Sequence, residues 1–467
     1  MAGLGHCPTG VDGLDQITAG GLPAGRTTLL TGGAGCGKTL LATEFLVRGA
    51  QRGEPGVLMA FEETSEELAT NVAAFGWDLP ALQAEGKLAV DYVRVDREQI
   101  DMTGDFDLEG LFIRLGLAID EVGAKRVVID TLEVLFSALD DTARLRSELR
   151  RLFSWLKHKG VTSIVTAESG DGPLTRHGLE EYVADCVISL DHRVNEEMAI
   201  RRIRIVKLRG SAHGTNEFPF VIGSAGFSVV PVTSFGLEHP ASSELVPTGV
   251  PGLDSMLGKA GWYRGSVTVV SGDSGTGKTT FAASFADAAC ARGQKCLYLA
   301  FEESSRQLAR NMASVGLRLD RWIEAGLLQV QASRPTEIGL ERHLTTVYEQ
   351  VEAHHPDVVV LDPITDFTAL GGGVAIKALL MRIVDYLKNR QVTAVLTSLA
   401  RSDGSDTSMS SLIDNFVQLR ALEHSAQRHR SLYIQKARGM AHSQHVRRFE
   451  LTDQGIEILE PVQVATA

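Results

Sequence analysis

Short, nearly unbroken apolar runs punctuate this chain, and between them lie longer stretches in which apolar residues return every three or four positions. Residues 27–31, 57–61, 127–129 and 161–166 are of the first kind; residues 40–49 and 145–157 are of the second. Strand-length runs without polar alternation are buried on both faces, and helices with an apolar stripe are what cover them. The pattern predicts an α/β fold, a mostly parallel sheet flanked by helices, with a ligand site at the carboxyl ends of the strands. One segment behaves differently. Arg202-Ile203-Arg204-Ile205-Val206-Lys207-Leu208-Arg209 alternates, which predicts a strand that sets Lys207 and Arg209 on one face.

Between the run 27–31 and the helical stretch 40–49 stands Gly32-Gly33-Ala34-Gly35-Cys36-Gly37-Lys38-Thr39, a G-x-x-x-x-G-K-T loop. Its glycines let the backbone turn tightly and aim N–H groups inward, where they and the next helix N-terminus hold phosphate. The loop returns 240 residues later as Gly272-Asp273-Ser274-Gly275-Thr276-Gly277-Lys278-Thr279. Candidate ATP-binding residues are therefore Ala34, Gly35, Cys36, Gly37, Lys38, Thr39 and Leu40, and Ser274, Gly275, Thr276, Gly277, Lys278, Thr279 and Thr280.

More than the loop is repeated. Phe61-Glu62-Glu63 returns as Phe301-Glu302-Glu303 at an offset of 240, Val127-Val128-Ile129-Asp130 as Val359-Val360-Leu361-Asp362 at 232, and Lys207-Leu208-Arg209-Gly210 as Lys436-Ala437-Arg438-Gly439 at 229. Ordered matches at slowly drifting offsets mean a tandem duplication of whole domains. The expected division is residues 1–235 and 236–467, the boundary falling in the proline- and serine-containing stretch 231–247.

Asp130 and Asp362 end apolar strands, where an acidic residue orients Mg²⁺ in phosphate-loop enzymes; Thr39 and Thr279 supply hydroxyls to the same ion. Glu62-Glu63 and Glu302-Glu303 also end a strand, and a carboxylate facing the γ-phosphate can take a proton from the attacking group. Which member of each pair acts is not decided by sequence. Lys207 lies 169 residues from Lys38 (207 − 38), so the sequence leaves open whether the Lys-x-Arg charges meet their own nucleotide or a neighbour's. In the second arrangement they would act as an arginine finger.

Composition narrows the setting. With 44% apolar and 22% charged residues the chain is globular rather than disordered, and no apolar run approaches a membrane span. The N-terminus has no signal-peptide character, so a cytoplasmic location is expected. A net charge of −12 argues against broad attraction to nucleic acid. Five scattered cysteines make neither a disulfide framework nor a zinc site, and Cys36, whose thiolate bound phosphate would oppose, is expected to be a small core residue like the rest.

Together these residues resemble the KaiC family of double-domain RecA-like ATPases, the central proteins of the cyanobacterial clock. The likeness spans roughly residues 8–460 and includes Arg176-His177-Gly178-Leu179-Glu180-Glu181-Tyr182-Val183-Ala184-Asp185. It implies two tandem RecA-like P-loop NTPase domains, a hexamer of two stacked rings, and ATP bound between subunits. It further implies that Lys207, Leu208, Arg209 and His213, and Lys436, Ala437, Arg438 and His442, act on the neighbour's nucleotide. By the same resemblance the first domain hydrolyses ATP and the second phosphorylates its own Ser410 and Ser411; the repeat sets these opposite Glu181 and Tyr182, and Ser405 aligns with a third family threonine.

The chain departs from the family at three points. Thr215 and Gln444 stand where the family has a second lysine, Pro363 replaces a hydroxyl residue after Asp362, and the chain stops at Ala467 without the tail that meets KaiA. A KaiB-like or other signalling partner is expected rather than KaiA. Two further readings share the core: an ATP-gated signalling scaffold whose second domain transfers nothing to itself, and a recombinase- or helicase-like DNA-dependent ATPase, which the acidic balance disfavours.

Overall fold

The computed structural model describes residues 5–93, 109–136, 142–170, 175, 183–195, 198–211, 213–230, 241–258, 261–334, 340–369, 373–399, 413–424 and 427–461. Ser405, Ser410, Ser411 and residues 176–182 lie outside the described residues. The chain divides into two compact units, Met1–Ser234 and Phe235–Ala467.

Among the described residues each unit carries one nine-stranded sheet. In the first unit six neighbouring strands run parallel, in the order Leu88–Tyr92, Gly56–Ala60, Arg126–Asp130, Thr162–Glu168, Thr27–Gly32 and Cys186–Asn195. Met198–Leu208, Glu217–Gly223 and Gly226–Val229 extend that edge as an antiparallel meander. The second unit repeats the order: Leu328–Ala332, Cys296–Ala300, Val358–Asp362, Thr393–Leu399, Val267–Gly272 and Asn415–His424 in parallel, then Gln427–Ala437, Arg447–Thr452 and Gly455–Pro461. Sequential strands joined through helices give this mostly parallel, doubly covered sheet.

Both faces of the first sheet are buried, in two separate cores. Leu29, Val57, Met59, Val127 and Ile129 face helices Glu109–Val122 and Thr142–Lys159, while Leu30, Leu58, Ala60 and Val128 face helix Lys38–Gln51. Successive residues of one run thus serve opposite cores, which is why the runs show no polar alternation.

The alternating segment forms the strand Met198–Leu208, with one correction to the expected regularity. Val187 pairs with Lys207 but Ile188 with Ile205, so Val206 is bulged; the same bulge falls at Gln435 in the second unit. Arg209 lies in the turn beyond the strand, its N–H still bonded to Asp185 O at 3.0 Å.

A buried arginine ties the first core to its phosphate-loop helix. Arg126, at 0% exposure, donates to Glu54 (2.8 Å), Phe45 O (2.7 Å) and Pro8 O (2.8 Å), and its guanidinium lies 4.4 Å from the Phe45 ring centroid. A Cβ on Gly49 would come within 2.4 Å of the arginine stem, so the helix can pass only as glycine. Arg126→Met strips donors from two main-chain carbonyls and is expected to cost the first unit about 3 kcal/mol. Calorimetry of the full chain checks this: the first unit's transition falls while the second unit's stays.

Candidate active site

Each phosphate loop begins at the carboxyl end of the sheet's central strand. A Cβ on Gly32 would meet Leu190 O at 2.5 Å and Cys36 Sγ at 2.6 Å, so the backbone turns against the next strand only with glycine there. Gly37 and Gly277 hold φ of 102° and 103° directly before the helices Lys38–Gln51 and Lys278–Ala291. Neither helix start has a side-chain cap, leaving first-turn N–H groups for an anion. Gly33, Ala34 and Gly35 are exposed, as are Asp273, Ser274 and Gly275; Cys36 and Thr276 are buried beneath them. Burial raises the Cys36 thiol above its ordinary pKa against the pull of Lys38, in keeping with a core residue. Leu40 and Thr280 pack inward behind the loops.

The loop lysines fold back on their own loops. Lys38 Nζ donates to Gly32 O (2.8 Å) and Gly33 O (3.0 Å), and Lys278 Nζ to Gly272 O and Asp273 O, both 2.9 Å. Burial lowers the Lys278 pKa, while Asp362, Glu302 and Asp273 oppose that shift. Beside the first loop a cleft of 310 Å³ opens among Gly33, Ala34, Ser189, Asp191, Arg202 and Arg204, a volume within the range of small-ligand sites.

Asp130 sits at the centre of an acidic cluster. Its Oδ2 accepts from Thr39 Oγ1 at 2.8 Å and its Oδ1 from Thr166 Oγ1. A hydroxyl and a carboxylate converging in this way, both hard oxygen donors, suit a divalent cation such as Mg²⁺. Glu62 opens to solvent at the neighbouring strand end, held by the bond from Phe61 N to Asp130 O at 2.9 Å. Desolvation, then the charges of Asp130, Glu168 and Glu133, raise its pKa; Lys38 pulls the other way. Glu63 turns aside and accepts from Asn71 Nδ2 at 3.4 Å, as Glu303 does from Asn311 at 3.0 Å. The geometry thereby separates the members of each pair: Glu62 and Glu302 interact with the loop lysines, Glu63 and Glu303 with the following helix.

Several of these groups were missed by sequence reasoning. Asn71 and Asn311 share the offset of 240 and could have been found from it. Glu133, which accepts from Thr131 Oγ1 and from Glu168 N, has no such signal; Thr365 and Leu399 occupy the matching positions for Glu133 and Glu168. Arg430, whose Nε donates to Gly275 O at 3.4 Å, reaches the second loop from the antiparallel strand.

The Lys-x-Arg segments lie at the other end of the sheet. Leu208 pairs with Cys186 and Cys186 with Thr28, whereas Gly32 pairs with Leu190. Four residues of strand, roughly 13 Å, separate the two levels. The structure therefore does not bring Lys207 or Arg209 to the phosphate loop of the same domain. Arg209 and Arg26 instead face Asp185 (3.6 and 3.4 Å), and Arg438 and Lys388 face Asp414 (3.6 and 2.8 Å). Lys436 Nζ donates to Ile413 O at 2.7 Å, and burial, then Arg438, lower its pKa against Asp414. Leu208 and Ala437 are buried, so what they can offer a ligand is main chain. His213 Nε2 is enclosed and, among the described residues, has no partner; His442 Nε2 accepts from Gln444 at 3.3 Å.

Comparison with known proteins fits this doubled site. A family model described as "ATPase: KaiC" matches residues 7–234 and again 246–463. The chain belongs to the KaiC family of ATPases. It is 51% identical over 461 residues to the circadian clock protein KaiC2 of Synechocystis sp., covering 97% of this chain and 81% of that one. Identity to the same organism's KaiC3 is 35%, and to the circadian clock oscillator protein KaiC of Parathermosynechococcus lividus 34%, each over nearly all of this chain. The nine-stranded sheets are thus two tandem RecA-like domains of a KaiC-family ATPase, as the sequence resemblance led one to expect.

Desolvation and the charges of Asp130, Glu168 and Glu133 hold Glu62 above the ordinary carboxylate value, and a base has to be ionised to act; if Glu62 is the base, ATP turnover should fall as pH drops through that raised value. Glu133→Gln keeps the side-chain size, removes one like charge and should move the acid limb to lower pH. A pH profile of ATP turnover in a Lys278→Ala background reads it; an unmoved limb overturns the coupling.

Proposed function

We propose that this chain is a Mg²⁺-dependent ATPase and serine autokinase, assembled as a homohexamer with ATP held between neighbouring subunits. Residues 1–235 hydrolyse ATP and residues 236–467 transfer phosphate to Ser410 and Ser411. The observation that carries the reading is the separation, inside each domain, of a phosphate loop at one end of the sheet from its Lys-x-Arg charges at the other. Charges that cannot reach their own nucleotide are of use to a neighbour's, which a closed ring supplies at every interface.

In the first domain Glu62 takes a proton from water as its oxygen forms a bond to the γ-phosphorus and the bond to the leaving ADP breaks. Lys38 and, across the interface, Lys207, Arg209 and His213 neutralise the charge that develops. In the second domain Glu302 takes the proton of a serine hydroxyl, and Lys278, Lys436, Arg438 and His442 play the matching roles. Thr39 and Asp130, or Thr279 and Asp362, would hold Mg²⁺, which when bound would supply positive charge to offset that of the phosphates. Positioning and electrostatics supply most of such a rate.

Support for a timing or signalling role comes from the clock proteins among the relatives. A KaiB-like partner and a cytoplasmic location accord with it, and the net charge of −12 disfavours nucleic acid. Among the described residues no helix is long and apolar enough to cross a membrane.

Two measurements test the reading. After incubation with Mg²⁺-ATP, mass spectrometry should find phosphate on Ser410 or Ser411, and none after Glu302→Gln; a chain that binds ATP yet carries no phosphate is the signalling scaffold instead. Lys38→Ala and Arg209→Ala should each abolish first-domain hydrolysis alone. Co-assembled in equal amounts they should regain about a quarter of it, the share of interfaces that pair an intact lysine with an intact arginine. No recovery overturns the shared site.

A further inference from the structure

The two repeats differ in what binds the second oxygen of their central aspartate. In both repeats a strand threonine, Thr166 or Thr397, donates to Oδ1 of the central aspartate. The other oxygen is treated differently. Asp130 Oδ2 accepts from Thr39 of the phosphate loop at 2.8 Å, whereas Asp362 Oδ2 accepts from the phenol of Tyr298 at 2.6 Å. Among the described residues the Thr279 hydroxyl makes no hydrogen bond to Asp362. Tyr298 sits in the strand Cys296–Ala300, which pairs with Val358–Asp362, and is 0% exposed; the matching strand position in the first repeat is Leu58. The phenol O–H donates and the carboxylate oxygen accepts, inside the sheet and away from solvent.

We propose that Tyr298 is a positioning residue of the second site, holding Asp362 away from Thr279 and loosening that site's hold on its divalent cation relative to the first. The inference rests on the ATP-site reading above. A carboxylate oxygen that accepts a short bond from a buried phenol offers less negative charge to a cation, and its orientation is set from inside the sheet rather than from the loop. The first site lacks this competitor because leucine has no donor. The two sites then need different free cation concentrations to close on ATP.

The test uses the full chain with Lys38→Ala, so that a fluorescent ATP analogue reports on the second site, titrated over a range of Mg²⁺ concentrations. Tyr298→Phe keeps the ring and removes the donor; the Mg²⁺ half-saturation of nucleotide binding should fall about fivefold, the factor carried by one ordinary hydrogen bond. Tyr298→Leu, which restores the first repeat's residue, should shift it the same way, an outcome that loss of packing alone would not give. Thermal unfolding of each variant accompanies the titration. A half-saturation that stays or rises while nucleotide still binds overturns the Tyr298 assignment alone. Absence of nucleotide binding at saturating Mg²⁺ overturns the ATP-site reading together with it.

Discussion

Everything chemical in each domain depends on six parallel strands finishing at the same edge of the sheet. Parallel pairing forces every strand end to the same side, so residues far apart in sequence, Thr39, Glu62, Asp130 and Thr166 in the first unit, arrive together without any loop having to reach. The phosphate loop takes the central place because its strand has parallel neighbours on both sides. Gly32 can turn against one of them only because it has no Cβ. An uncapped helix start then faces the space the strand ends enclose, and its N–H groups and dipole act on the same volume as the lysine and the carboxylates.

The same rule parts the Lys-x-Arg charges from the phosphate loop of their own domain. Once the chain leaves the parallel set it returns antiparallel, and its Lys-x-Arg end is carried back to the amino ends of the strands. There Asp185 and Asp414 hold the arginines, each also facing a second cation, Arg26 or Lys388. The pairs are partly exposed, so water screens them and each arginine can trade its carboxylate for a phosphate at little cost. On the proposed reading, a fold that splits the charges in this way makes catalysis depend on a neighbouring subunit.

Much of this was legible in the residues themselves. The strands showed because each successive residue serves an opposite core, as Leu29 and Leu30 do, and the loops showed because their glycine spacing has few other uses. Sequence could not choose between Glu62 and Glu63, since neighbours at a strand end differ only in where each side chain turns, and the decisive partner, Asn71, is eight positions on. Nor could a separation of 169 residues tell which end of the sheet Lys207 occupies; strand register does, and it sets that residue apart from the phosphate loop of its own domain. The alternation of residues 202–209 concealed a bulge, which costs no change of residue type. Glu133 and Tyr298 escaped for the opposite reason: each lies in one repeat only, so the duplication that exposed the rest of the site said nothing of them.

Those unshared residues are where the two sites part. Duplication preserved the backbone down to matching glycines at φ of 102° and 103°, so differences in chemistry have to come from side chains placed on equal scaffolds. Around Glu62 the charges of Asp130, Glu133 and Glu168 crowd together, which favours proton uptake by that glutamate and draws cations into the cluster. Around Glu302 the positions of Glu133 and Glu168 are Thr365 and Leu399, the aspartate shares an oxygen with a neutral phenol, and the loop lysine is more deeply buried. Water is small, abundant and weakly acidic, so a strong base and a tight metal suit its attack. A serine hydroxyl of the same chain is delivered at high effective concentration and asks less of the base than of the geometry. The divergence of the two acidic clusters accords with the proposed division of labour, in which one edge serves water and the other a tethered hydroxyl.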